Sequence, residues 1–203
     1  MDSELIAQGM QALSEMDADV AEAFASYGPP PPRLRPPGFE TFLATIVSQQ
    51  ISAKVARVIM GRVTDLLPEL SADALLSVEA QALRDAGLSW RKIEYARGLA
   101  EAVQSGTFDI DGLAGMEDSQ VIEAITALRG FGRWSAEIYL MFSLKRQDIF
   151  PADDLALQVA LGRLKNLDQK PTAGQAREQI AHWSPWRSVG ALFLWHYYHG
   201  RPV

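Results

Sequence analysis

The sequence predicts an all-α protein. Apolar residues recur every three or four positions along nearly the whole chain, and no stretch alternates apolar and polar residues over a useful length. Ser, Asp and Gly stand where helices start and stop. The expectation is roughly ten helices joined by short loops. SELIAQGMQALSEMDADVAEAFASYG, from residue 3, reads as one or two amphipathic helices ending before Gly28. GPPPPRLRPPG, residues 28–38, reads as a polyproline linker wrapping the surface, because proline fixes φ and lacks the amide a helix needs. The expected division is an N-terminal helical arm with its linker over 1–35, packed against the second lobe, and a body over 36–203. FETFLATIVSQQIS and SAKVARVIMGRVTDLL give two further helices, with Ser52 placed to cap the second. SVEAQALRDAG reads as a helix begun by Ser77 and stopped by Gly87, and SWRKIEYARGLAEAVQSG as one from Ser89 to Gly106. DSQVIEAITALRG takes Asp118 as its cap and Gly130 as its stop. RWSAEIYLMFSLK, DLALQVALGRL, TAGQAREQIAHW and SPWRSVGALFLWHYYHG complete the set.

Composition excludes several chemistries. With no cysteine in 203 residues there is no disulfide framework, cysteine nucleophile, thiolate zinc site or iron–sulfur cluster. Such a chain suits a reducing cytoplasm. The N-terminus lacks a basic stretch followed by an apolar one, so no signal peptide is expected, and no apolar run reaches membrane-spanning length. A net charge of −6 argues against a non-specific coat on nucleic acid but leaves room for a local basic face. The histidines are His182, His196 and His199, and no nearby acid completes a metal set around the last two.

LRGFGRWSAEIYL, residues 128–140, places Gly130 and Gly132 between two helical stretches. Two such glycines permit positive φ and a close backbone approach. The next helix opens at Arg133 with free N–H groups at its N-terminus, which suits a phosphate held without reading bases. An ordinary tight turn between helices would use the same residues. A dinucleotide fingerprint is ruled out, since it needs a third glycine and a preceding strand. FPADDLALQVA carries a second signal, Asp153 and Asp154 at a helix start. Acids there are commonly caps, and position favours Asp153 as the cap.

Leu128-x-Gly130-x-Gly132-x-x-Ser135-Ala136 resembles the helix-hairpin-helix of the base-excision DNA glycosylase superfamily, whose pattern is L-x-G-x-G-x-x-[ST]-A. GRWSA at 132–136, PADDLAL at 151–157, PWRSVGALFLW at 185–195 and IVSQQIS at 46–52 are most similar to its DNA-3-methyladenine glycosylase II branch. The resemblance implies a two-lobe helical fold with the active site in the cleft between lobes, and the chain leaves no room for the N-terminal β domain of larger relatives. It implies Asp154 as the catalytic carboxylate. Trp134, Trp195, Tyr139 and Gln49 would line the base pocket, although aromatic core packing accounts for Tyr139 equally well. Gln50 would fill the gap left by the flipped base. Gly130, Gly132, Arg133 and Ser135 would hold DNA. The main-chain carbonyls of Thr126, Leu128 and Phe131 would hold a Na⁺ or K⁺, with no other cofactor required.

One carboxylate suffices for a particular substrate class. A base alkylated on a ring nitrogen, such as 3-methyladenine or 7-methylguanine, already carries positive charge and leaves neutral, so it needs no general acid. What remains is to stabilise an oxocarbenium-like sugar. Relatives that also cut the strand carry a Schiff-base lysine at the hairpin, where this chain has Trp134, which has no amine. The implied protein is a monomeric, monofunctional glycosylase acting on alkylated double-stranded DNA and leaving an abasic site. It would work at the nucleoid of a bacterial-type cytoplasm, without a membrane. Two other readings remain open at this level: a catalytically silent helix-hairpin-helix DNA binder, and a glycosylase for deaminated bases, which would need leaving-group assistance.

Overall fold

The computed structural model describes residues 1–200. Those residues form α-helices and two short 3₁₀ turns, with no strand among them. The chain divides into two compact units: one combines residues 1–34 with 137–203, the other spans 35–136. The N-terminal arm folds as part of the same unit as the C-terminal helices.

The first unit contains α1 (Ser3–Met16) and α2 (Ala18–Tyr27), broken at Asp17. Asp17 has extended φ, its amide still bonds Leu13 O at 2.9 Å, and its carboxylate caps α2 at Asp19 N. The same buried carboxylate accepts from Lys165 Nζ at 2.6 Å and from the Trp183 indole at 2.7 Å, and lies 3.0 Å from His182 Nε2. Burial would raise its pKa; hydrogen bonds from Lys165, Trp183 and His182 outweigh that and hold it down at about 2. A helix break in the arm is thereby tied to the far end of the sequence.

Around this tie pack α10 (Leu155–Leu164), α11 (Ala173–Gln179) and α12 (Arg187–His199). Helix α12 buries Val189, Ala191, Leu192, Phe193 and Leu194, and so is apolar nearly all round, as a central helix must be. Two glycines make that packing close. A Cβ on Gly190 would stand 2.5 Å from the Trp183 ring, and one on Gly9 would stand 2.7 Å from Val189. Residues 29–34 have no regular structure, as expected of the proline run, and Arg33 exchanges two backbone bonds with Met1 at 2.7 and 3.1 Å.

The second unit contains α3 (Phe39–Ser48), α4 (Ala53–Asp65), α5 (Ala72–Ser77), α6 (Ala80–Asp85), α7 (Trp90–Gln104) and α8 (Asp118–Thr126). Helix α7 is packed on by α3, α5 and α6. Phe42 sets its ring edge-on to Phe108 and Phe131, at 5.2 and 5.6 Å. Ser52 and Ser89 cap α4 and α7 as expected, and Gly87 and Gly106 take positive φ at helix stops.

Two helix starts differ from the sequence reading. Ser77 closes α5, donating its hydroxyl to Ala74 O, and the next helix begins after Glu79. The short helix Ala72–Ser77 is capped by Ser71, a serine that the pattern did not single out. Helix α8 is capped by Glu117 rather than Asp118, because Gln120 reaches back to the Glu117 amide at 3.1 Å. Helix α9 (Arg133–Phe142) begins in the second unit and ends in the first.

Candidate active site

The hairpin lies in the second unit. Gly130 has φ +93°, and a Cβ there would meet the Tyr95 ring at 2.4 Å, so both conformation and space require glycine. The Gly130 carbonyl accepts from Gln49 Nε2 at 2.8 Å, which ties the end of α3 to the hairpin. Gln49, expected to line the base pocket, thus has a scaffold role as well. Gln50, next to it, is exposed and held at φ +58°, a conformation that side chains rarely adopt.

Gly132 departs from expectation. It does not take positive φ, and nothing in the protein lies within 4 Å of a Cβ placed on it. Its smallness serves nothing inside the fold. Arg133 and Trp134 are exposed, Trp134 by 43 %, and Ser135 is half-buried. The Leu128 carbonyl accepts from the Phe131 amide at 3.2 Å.

The carboxylate lies in the first unit. Asp154, not Asp153, caps α10, its Oδ1 accepting from Leu157 N at 3.1 Å. The loop turns at Pro151, whose carbonyl accepts the Asp154 amide, and this sets Asp154 one residue before the helix. Asp153 points away and pairs with Arg177 at 3.1 Å, both largely exposed. Asp154 Oδ1 also accepts from the Trp195 indole Nε1 at 3.3 Å. A carboxylate has about four acceptor positions, so capping does not use up its capacity.

The loop before Asp154 is braced by residues that the sequence reading did not single out. Arg187 grips Asp148 with two bonds of 2.6 Å, and Ser184 adds one at 2.8 Å. Burial would raise the Asp148 pKa, but Arg187 and Ser184 lower it overall. Buried Ser188 accepts from Ile149 N at 2.9 Å and lies 2.8 Å from Arg146 O. Gln158 donates to Ala152 O at 2.8 Å and accepts from Lys170 at 3.0 Å. Arg187 and Ser188 stand inside PWRSVGALFLW, so their segment was visible although their partners were not.

Trp195 is half-buried, with Phe142 at 6.0 Å and the Arg33 guanidinium at 5.9 Å from its ring. Tyr139 is buried on α9. No three His, Asp or Glu side chains converge on a metal position among the described residues.

Residues 43–185 match the model of the HhH-GPD superfamily of base excision DNA repair proteins. The chain belongs to that superfamily. HhH-GPD relatives include DNA-3-methyladenine glycosylase 1 of Schizosaccharomyces pombe, 30 % identical over 161 residues, covering 77 % of this chain and 71 % of that protein. Against some other curated relatives the chain spans less than half of their length. Among solved structures, a DNA-3-methyladenine glycosidase of Bacillus halodurans superposes with TM-score 0.82 at 34 % identity, covering 92 % of this chain and 87 % of that one. The 3-methyladenine DNA glycosylase of Schizosaccharomyces pombe, solved with abasic DNA, gives 0.80 at 27 % identity, covering 93 % and 95 %. The all-α HhH-GPD fold expected from the sequence is therefore the fold of this chain.

Proposed function

We propose that this protein is a monofunctional DNA glycosylase that removes alkylated bases of the 3-methyladenine and 7-methylguanine type and starts base excision repair. The observation that carries this reading is the Asp154 carboxylate, held by a helix amide and by an aromatic N–H within a family of base-excision enzymes. The glycosylases that resemble the chain, one of them solved with abasic DNA, support it.

The target atom lies inside the duplex, so the nucleotide is extruded first. Gln50, exposed at the tip after α3, fills the gap. Trp134, Trp195, Tyr139 and Gln49 are the residues that would receive the base, the two indoles offering π faces to its charge. The C1′–N bond breaks and its electron pair leaves with the base, neutralising the base's charge. Asp154 stabilises the positive sugar, and water adds at C1′ and releases its proton to solvent. The product is an abasic site on an uncut strand, because Trp134 provides no amine for a Schiff base.

Gly132, Arg133 and Ser135 open α9 against a phosphate, with Gly130 fixing the turn. Thr126 ends α8, so its carbonyl is among those that a helix leaves without an internal partner, and Leu128 keeps a second lone pair beyond its Phe131 bond. With the Phe131 carbonyl these would hold a Na⁺ or K⁺, which would supply positive charge for a DNA phosphate. The protein would act as a monomer on the nucleoid, in the cytoplasm.

Methylated duplex DNA tests the reading. Wild type should release free 3-methyladenine and 7-methylguanine without nicking the strand. Asp154→Asn should lose nearly all release while keeping its fold, since Asn caps helices as well as Asp does. Asp153→Asn should retain release. Base release by Asp154→Asn at the wild-type rate would remove Asp154 from the chemistry, and no release by wild type would leave only a DNA-binding role.

A further inference from the structure

We infer that Lys92, on α7, is a positioning residue for Gln50: it closes the end of α3 from outside and so fixes the turn on which Gln50 stands. This rests on the reading of Gln50 as the residue that fills the gap left by the extruded base. A helix leaves its last four carbonyls without internal partners. In α3 these belong to Thr45, Ile46, Val47 and Ser48. The Ser48 hydroxyl donates to Thr45 O at 3.0 Å, and the Gln49 and Ile51 amides donate to Ile46 O at 3.3 Å and Ser48 O at 3.4 Å. Those three bonds are local. The Val47 carbonyl instead accepts from Lys92 Nζ at 2.8 Å, 45 residues along the chain.

The reach of Lys92 starts from a fixed root. Ser89 caps α7 by accepting from the Lys92 amide at 3.3 Å, and Ile93 and Ala96 on the same helix are buried. Lys92 is half-buried, and burial lowers its pKa. The negative end of the α3 dipole offsets that cost, since α3 has no basic residue of its own in its last turn.

Gln50 needs such support. Helices commonly end on a glycine with positive φ, but Gln49 and Gln50 follow α3, and Gln50 takes the left-handed place at φ +58°. A residue with a side chain stays in that region only where its surroundings over-determine it. Gln50 is exposed, so burial of its own side chain does not supply the restraint. The restraint comes from the residues before it: Lys92 on the Val47 carbonyl, and the Gln49 amide on Gly130 O at 2.8 Å. Without Lys92 the turn keeps one of these two anchors, and Gln50 would spend less time in the geometry that keeps a nucleotide out of the stack.

The test is single-turnover release of 7-methylguanine from a duplex by wild type, Lys92→Met, Gln50→Ala and the double variant. Lys92→Met keeps the length of the side chain and removes the donor. It should slow release about tenfold, the lower end of what one hydrogen bond from a charged donor contributes. In the Gln50→Ala background the same change should slow release by less than about twofold, because two residues that act as one unit are not additive. Lys92→Gln, which keeps a donor but loses the reach, goes through the same cycle and should give the same pattern. An unchanged rate in Lys92→Met, or a loss of equal size in both backgrounds, assigns Lys92 to general packing and overturns the inference. A wild-type rate in Gln50→Ala overturns it together with the reading of Gln50. No release by wild type would instead overturn the glycosylase reading beneath both.

Discussion

At the scale of single residues, Gly130 and Gly132 look equivalent in sequence but are required for different reasons. Gly130 combines positive φ with a ring 2.4 Å from where a Cβ would be. Gly130→Ala should therefore cost about 1–3 kcal/mol of stability, measured by urea unfolding. Gly132 has ordinary φ and open space, so Gly132→Ala should change stability by no more than about 0.5 kcal/mol. It should instead weaken binding to duplex DNA, measured by anisotropy, if a phosphate approaches that backbone. The two aspartates divide in the same way. Sequence position favoured Asp153 as the cap, but the turn at Pro151 brings Asp154 to the capping place and leaves Asp153 to a surface pair with Arg177.

Among elements, the loop between α9 and α10 leads to Asp154, the proposed catalytic carboxylate, and it has almost no regular structure of its own. Its shape comes from side chains elsewhere: Arg187 and Ser188 at the start of α12, and Gln158 one turn into α10. Gln158→Ala would leave the buried Ala152 carbonyl without that partner, at a cost of about 1–3 kcal/mol. Because Gln158 acts by positioning, the variant should lower kcat more than KM, and Gln158→Glu, which keeps the length but loses the amide donor, should behave like Ala. Helix periodicity made α10 and α12 legible. It carried no information on which side chain from one would reach the loop before the other.

For the whole molecule, the first unit is closed by contacts between the ends of the chain. Asp17 meets Lys165, His182 and Trp183 across more than a hundred intervening residues. Its carboxyl is held at about 2, below its ordinary value of 3.8. Its contribution is therefore present above about pH 4 and lost as pH falls towards 2, amounting to about 2–3 kcal/mol. Urea midpoints taken between pH 5 and pH 2 should fall over that window, and Asp17→Asn should flatten the fall while lowering stability at pH 7. The Lys165 pKa is raised, so its share persists below its ordinary 10.5 and is lost only as pH rises through the raised value.

The sequence by itself determined the helical class, most helix starts and stops, the hairpin and the family resemblance. Those features are local: spacing, caps and glycines act within a turn or two of chain. Only the tertiary structure decided which aspartate caps α10, which hairpin glycine is forced by the fold, where the arm docks and what stands beside Trp195. Each of these depends on a partner distant in sequence, and periodicity has no means of recording the distance between two residues that the fold alone brings together.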